Sequence, residues 1–91
     1  MKAKIFVVKL IKGMHAKPAA LFVHETSRFK SAITVAKDGV EVNGKSIMGL
    51  MLLGAECGSS LKISINGPDE KEALEALNRL FAGTFEDDDR H

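Results

Sequence analysis

Gly13-Met14-His15-Ala16-Lys17-Pro18-Ala19-Ala20 is the stretch whose residue types and spacing could do chemistry. A histidine stands there between a run with strand character and a run with helix character. Pro18 lies among the first residues of a helix, where its missing N–H costs nothing. His15 then sits just outside the helix N-terminus, facing backbone N–H groups that lack intrahelical partners and the positive end of the macrodipole. Phosphoryl transfer through histidine needs a neutral ring nitrogen as nucleophile, access for a donor, and a cradle for the arriving oxygens. A helix N-terminus disfavours positive charge beside it and offers N–H groups to a bonded phosphate. Ala16 and Lys17 are the residues placed to form that cradle. Lys17 adds a cation two residues from the histidine, a point charge rather than the bidentate fork of an arginine. Position alone also describes an ordinary surface histidine at a helix start, and most histidines are of that kind.

The remaining chemistry-bearing residues are sparse. His24 falls at mid-helix, His91 at the chain end, and neither has neighbours at metal-ligand spacing, so no metal site and no cofactor is expected. Cys57 is the single cysteine, which excludes an internal disulfide and suits a reducing compartment. No paired carboxylate or nucleophile lies near His15, which argues against a hydrolase. The formal net charge of +1 supplies no strong field for nucleic acid or anionic lipid. There is no Trp or Tyr, so stacking platforms for bases are poorly supplied. No apolar run approaches the ~20 residues of a membrane span. Met1-Lys2-Ala3-Lys4 opens straight into a strand-like run without a cleavage signal, and a cytoplasmic protein is expected.

The elements that must position the histidine can be read in order. The 91-residue chain has room for one core, expected over residues 1–85, with an acidic tail at 86–91 that has nothing to bury. Residues 2 to about 9 are rich in β-formers, with Ala3, Ile5 and Val7 on one face at period two. From Ala16 to Phe29, Ala19, Phe22, Val23, Thr26 and Phe29 approximate helical spacing. Ile33 and Val35 mark a second strand, Asp38-Gly39 a two-residue turn, and Val40 and Val42 a third strand ended by Asn43-Gly44. Ser46 is placed to N-cap a short helix through about Leu53, with Ile47, Leu50 and Met51 at the spacing of one apolar face and Gly54 as its stop. Leu61, Ile63 and Ile65 alternate with polar residues in a half-buried strand. Asp69 and Glu72 form a capping-box-like pair for a last helix lined by Ala73, Leu77, Leu80 and Phe81 and closed by Gly83. The order β-α-β-β-α-β-α, with one apolar face per strand, implies an α+β two-layer sandwich with one wet sheet face.

The first stretch resembles the active-site signature of the HPr family, the histidine-containing phosphocarriers of the phosphoenolpyruvate-dependent sugar phosphotransferase system. Asn43-Gly44-Lys45-Ser46-Ile47-Met48-Gly49-Leu50-Met51 resembles the family's regulatory serine site. The closing strand, Gly67, Asp69-Glu70 and the last helix continue the similarity, which covers nearly all of residues 1 to 85. Two motifs in the correct order on a matching element pattern are far more specific than either alone. The resemblance implies that His15 accepts a phosphoryl group on Nδ1 from enzyme I and passes it to sugar-specific IIA domains. It implies a stoichiometric carrier rather than a stand-alone catalyst, on a four-stranded antiparallel sheet covered on one side by three helices, the open-faced sandwich. It also implies that Ser46 is a site for a dedicated HPr kinase/phosphorylase and allows transcriptional regulators among the partners. The short helix lies near the histidine in the family, which marks Ile47 and Met48 as expected partner contacts, while Leu50 and Met51 are expected in the core. Residue 17 is usually arginine in this family, and Lys17 keeps the charge while losing bidentate contact with phosphate. Met14 stands for a usual branched aliphatic residue.

Two rivals remain on the sequence. One is a regulatory paralogue of the same fold in carbon or nitrogen control; His15 excludes only paralogues that lack the histidine. The other is an α+β nucleic-acid-binding module, which predicts basic and aromatic residues on the open sheet face. Lys62 is available there, but Ser64 and Asn66 beside it are not aromatic, so nucleic acid is not expected as a partner, and the lack of an apolar run of spanning length leaves no membrane expected either. Docking to several proteins in turn favours a monomer.

Overall fold

A computed structural model describes residues 1–10 and 12–83. The domain boundary expected at residue 85 and the acidic tail at 86–91 lie outside the described residues. The elements are β1 (Lys2–Val7), α1 (Ala16–Thr26), β2 (Ala32–Lys37), β3 (Val40–Asn43), α2 (Ile47–Leu52), β4 (Ser60–Asn66) and α3 (Glu70–Ala82). All pairings are antiparallel, in the order β1-β4-β2-β3, so β4 lies between the first two strands of the sequence. The three helices and the sheet form the expected four-stranded open-faced sandwich.

Local chemistry sets the corners. Asp38 and Gly39 take φ values of 51° and 83°, the paired left-handed conformation of a two-residue hairpin turn between β2 and β3. In β4 the alternation decides the sheet's orientation: Leu61, Ile63 and Ile65 are buried, and Lys62 faces out. Registers Val35↔Ile63 and Ile33↔Ile65 carry the same buried face onto β2. Phe22 of α1, Leu50 of α2 and Leu77 of α3 close over that face, all at most 1% exposed. Phe81 stacks on Phe6 with ring centroids 4.6 Å apart and meets Phe22 edge-on at 6.2 Å, which ties α3 to both β1 and α1.

Three expectations are corrected. The apolar face of β1 is not Ala3, Ile5 and Val7: Ile5 and Val7 are 62% and 46% exposed on the open side, and Phe6 and Val8 point into the core. Residues 5–8 are apolar on both faces, so period-two patterning fits either orientation, and the helices cover only one. Helix α1 stops at Thr26, short of Phe29. Arg28 and Phe29 donate to carbonyls three residues back, and the Thr26 hydroxyl reaches Gly44's carbonyl oxygen at 2.8 Å, so the chain winds off in tightened turns. The capping box at α3 does not form. Asp69 makes no capping bond, and Glu70 rather than Glu72 reaches back, accepting Gly67's N–H at 3.1 Å.

The open face carries Ile5, Val7, Lys62 and small polar residues of β4 and β2, and Phe6, the aromatic of β1, lies on the opposite side. A base-stacking surface is not built there.

Candidate functional site

His15 is placed by the loop between β1 and α1. The line of β1 runs on through Val8, whose N–H donates to Ser59's carbonyl at 2.9 Å and whose carbonyl accepts from Gly58's N–H at 2.7 Å. The chain turns at Gly13 and enters α1 with His15 as N-cap, extended at φ −88° and ψ −169°. Its carbonyl accepts the first helical bond, from Ala19's N–H at 3.0 Å, while its imidazole makes no capping bond to the helix. The residue is half-buried.

Pro18 is the third residue of α1, fully buried, and has no N–H to offer. Ala16 and Lys17 therefore supply the N–H groups of the turn ahead of the first helical bond, and both residues are exposed. Between residues 8 and 17 the chain carries Lys9, Lys12 and Lys17 and no carboxylate. The fold thus assembles an imidazole, two first-turn amides and an ammonium at one helix end, a setting suited to an anion. Among the described residues, the carboxyl groups whose acidity the fold increases are those of Asp69 and Glu70, at the start of α3. Among the described residues no three of His, Cys, Asp and Glu gather as a metal ion requires. His24 is exposed on α1, Cys57 is exposed in the loop after α2, and His91 lies outside the described residues.

Helix α2 packs against α1 and β3. Ser46 is its N-cap, its Oγ accepting Gly49's N–H at 3.0 Å, as the sequence predicts. Only Leu50 of α2 is buried. Ile47 is 41% exposed and Met48 73%, so both stand outward as a contact surface requires. Met51 is corrected from core to surface at 46%, and Leu52, unassigned by the spacing, is 78% exposed. A six-residue helix lying on α1 and β3 has one inward position per turn, and Leu50 takes it. Residues 47, 48, 51 and 52 recur at i, i+1, i+4 and i+5, itself a helical face, and that spacing was the available signal for the two that were missed.

Comparison with known proteins agrees with this arrangement. The family model described as "PTS HPr component phosphorylation site" matches residues 2–83. Phosphocarrier protein HPr of Treponema pallidum (strain Nichols) is 48% identical over 87 residues, covering 90% of this chain and 99% of that protein. HPr-like protein Crh of Halalkalibacterium halodurans is 53% identical over 77 residues, covering 85% of this chain and 92% of its own. The crystal structure of HPr-C-His from Thermoanaerobacter tengcongensis superposes with a TM-score of 0.89 at 48% identity, over 93% of this chain and 96% of that one. The fold, the histidine at the start of α1 and these matches lead to one assignment: the chain belongs to the HPr family of phosphotransferase-system phosphocarriers.

Proposed function

We propose that His15 receives a phosphoryl group on Nδ1 from enzyme I and delivers it to sugar-specific IIA domains in phosphoenolpyruvate-dependent sugar uptake. The observation that carries this reading is the place of His15, half-buried as the N-cap of α1 and followed directly by the exposed first-turn residues Ala16 and Lys17. In the phosphorylated state the first-turn amides of Ala16 and Lys17 receive the phosphate oxygens, and the Lys17 ammonium offsets their charge. Ile47 and Met48 lead the apolar face of α2 on which enzyme I and the IIA domains dock in turn, with Met51 and Leu52 extending it. The chain works as a cytoplasmic monomer, since one patch must be offered to several partners.

Ser46 is the regulatory position in this reading, phosphorylated by an HPr kinase/phosphorylase. A phosphate at an N-cap is tolerated by the helix, so its charge acts on docking rather than on folding. A second reading is a regulatory paralogue in carbon or nitrogen control, with transcriptional regulators among its partners; the similarity to Crh, the Bacillus subtilis catabolite repression HPr, supports its carbon-control form.

Incubation with phosphoenolpyruvate and enzyme I tests the proposal. The expected product carries acid-labile, alkali-stable phosphate, His15→Ala removes it, and a purified IIA domain discharges it. Labelling that no IIA domain discharges favours the regulatory paralogue. Labelling that survives His15→Ala rejects both.

A further inference from the structure

The residue in front of His15 is pinned from two sides. Met14 donates its N–H to Ala55's carbonyl at 2.8 Å, and its side chain is buried in the core. Ala55, also buried, lies two residues past Leu53, the C-cap of α2. One step earlier, Gly13 sits at φ +73°, and a Cβ there would stand 2.5 Å from Ala55's carbonyl oxygen and 3.0 Å from Glu56's Cα. Both neighbours are backbone, so neither can swing aside. Gly13 thus needs to be glycine for its conformation and for the approach of the Ala55–Glu56 backbone. The same segment returns to β1 through Gly58 and Ser59, which bracket Val8 with two hydrogen bonds.

We propose that the segment Gly54–Ser59 is a positioning clamp for His15, with Ala55's carbonyl and Gly13's bare Cα as its two essential parts. This rests on the phosphoryl-carrier reading of His15. With Met14 held at its amide and its side chain, the backbone of His15 enters α1 at one angle. The imidazole is thereby presented to a donor without a search over loop conformations. A nucleophile held in a near-attack position gains rate, and small displacements of it cost rate steeply. The clamp acts through Met14, so Gly13 and Ala55 are positioning residues and touch no phosphate.

Gly13→Ala tests the clamp, with Gly39→Ala as reference. Gly39 also has a left-handed φ, +83°, but a Cβ there meets nothing within 4 Å, so the reference shares the backbone strain without the collision. For Gly13→Ala the expected result is a fall of about 10- to 100-fold in kcat for phosphorylation by enzyme I, with KM within about twofold. The His15 imidazole resonances move in the same variant, and Gly39→Ala matches wild type in all three. A folded Gly13→Ala chain with wild-type kcat and His15 resonances overturns the proposal, as does an equal loss in Gly39→Ala. Should Gly13→Ala not fold, amide exchange in the wild-type chain decides. Met14's amide exchanging as slowly as Val8's supports the clamp, and exchange at the rate of an open loop refutes it. Failure of the carrier reading looks different: the wild type then takes no label, while the His15 resonances and Met14 exchange still report on the clamp.

Discussion

Asp69 accepts both the backbone N–H of Ser31, at 2.9 Å, and the Ser31 hydroxyl, tying the start of α3 to the loop before β2 across 38 residues of sequence. Lys30's N–H adds a third bond at 2.8 Å. The Ser31 hydroxyl first, then the Lys30 N–H, holds the Asp69 carboxyl below the usual carboxylate range. The folded-state value being the lower one, this stabilisation is present above the unfolded-state value and is lost as pH falls through the folded one. Asp69→Asn is expected to lower the denaturant midpoint at pH 7 and to flatten the acid side of the stability–pH curve. Urea titrations of both chains across pH 2–7 check the sign.

Ser46 carries two predictions that separate structure from regulation. Ser46→Ala leaves Gly49's N–H without its cap and costs about 1 kcal/mol. Ser46→Asp restores a capping acceptor and keeps stability near wild type, but slows phosphorylation of His15 by enzyme I. Equal transfer rates for wild type and Ser46→Asp remove the regulatory role.

Exposure separates two neighbours on α2. Met48, 73% exposed, tolerates Met48→Glu within about 0.5 kcal/mol of wild-type stability, while its KM for enzyme I rises with little change in kcat. Leu50, 1% exposed, loses about 2–5 kcal/mol in Leu50→Ala. Thermal denaturation and steady-state transfer on the same two samples test the distinction between surface and core.

Lys17 is expected to contribute by charge. Lys17→Ala lowers transfer about 10- to 100-fold, the range of one charge-assisted hydrogen bond. Lys17→Arg keeps the charge and supplies a bidentate fork, and transfer is retained or raised. Single-turnover transfer rates for the two variants provide the check.

Local signals are legible in the sequence itself. The alternation of β4, the Asp38-Gly39 turn and the Ser46 cap each involve residues within a few positions of one another, and each stands as expected. His15 at the mouth of α1 was legible for the same reason, since Pro18 and the apolar spacing that follows it mark the helix start. What escaped was set by distant partners. The face of β1 is chosen by helices arriving later in the chain, because Ile5-Phe6-Val7-Val8 is apolar on both sides. Asp69 abandons its own helix for Ser31, a partner that lies across a strand pairing. Met51 is excluded from the core because α1 and β3 leave α2 one inward position. The contact of Gly13 with Ala55 joins two loops and has no local signature.

Phosphorus and nitrogen NMR of the enzyme I-phosphorylated chain tests the central claim most directly. The predicted spectrum contains one phosphoramidate signal, coupled to Nδ1 of His15 and accompanied by shifts of the Ala16 and Lys17 amides. Phosphate found on Nε2, on His24 or on a serine, or on His15 with those two amides unmoved, contradicts the account.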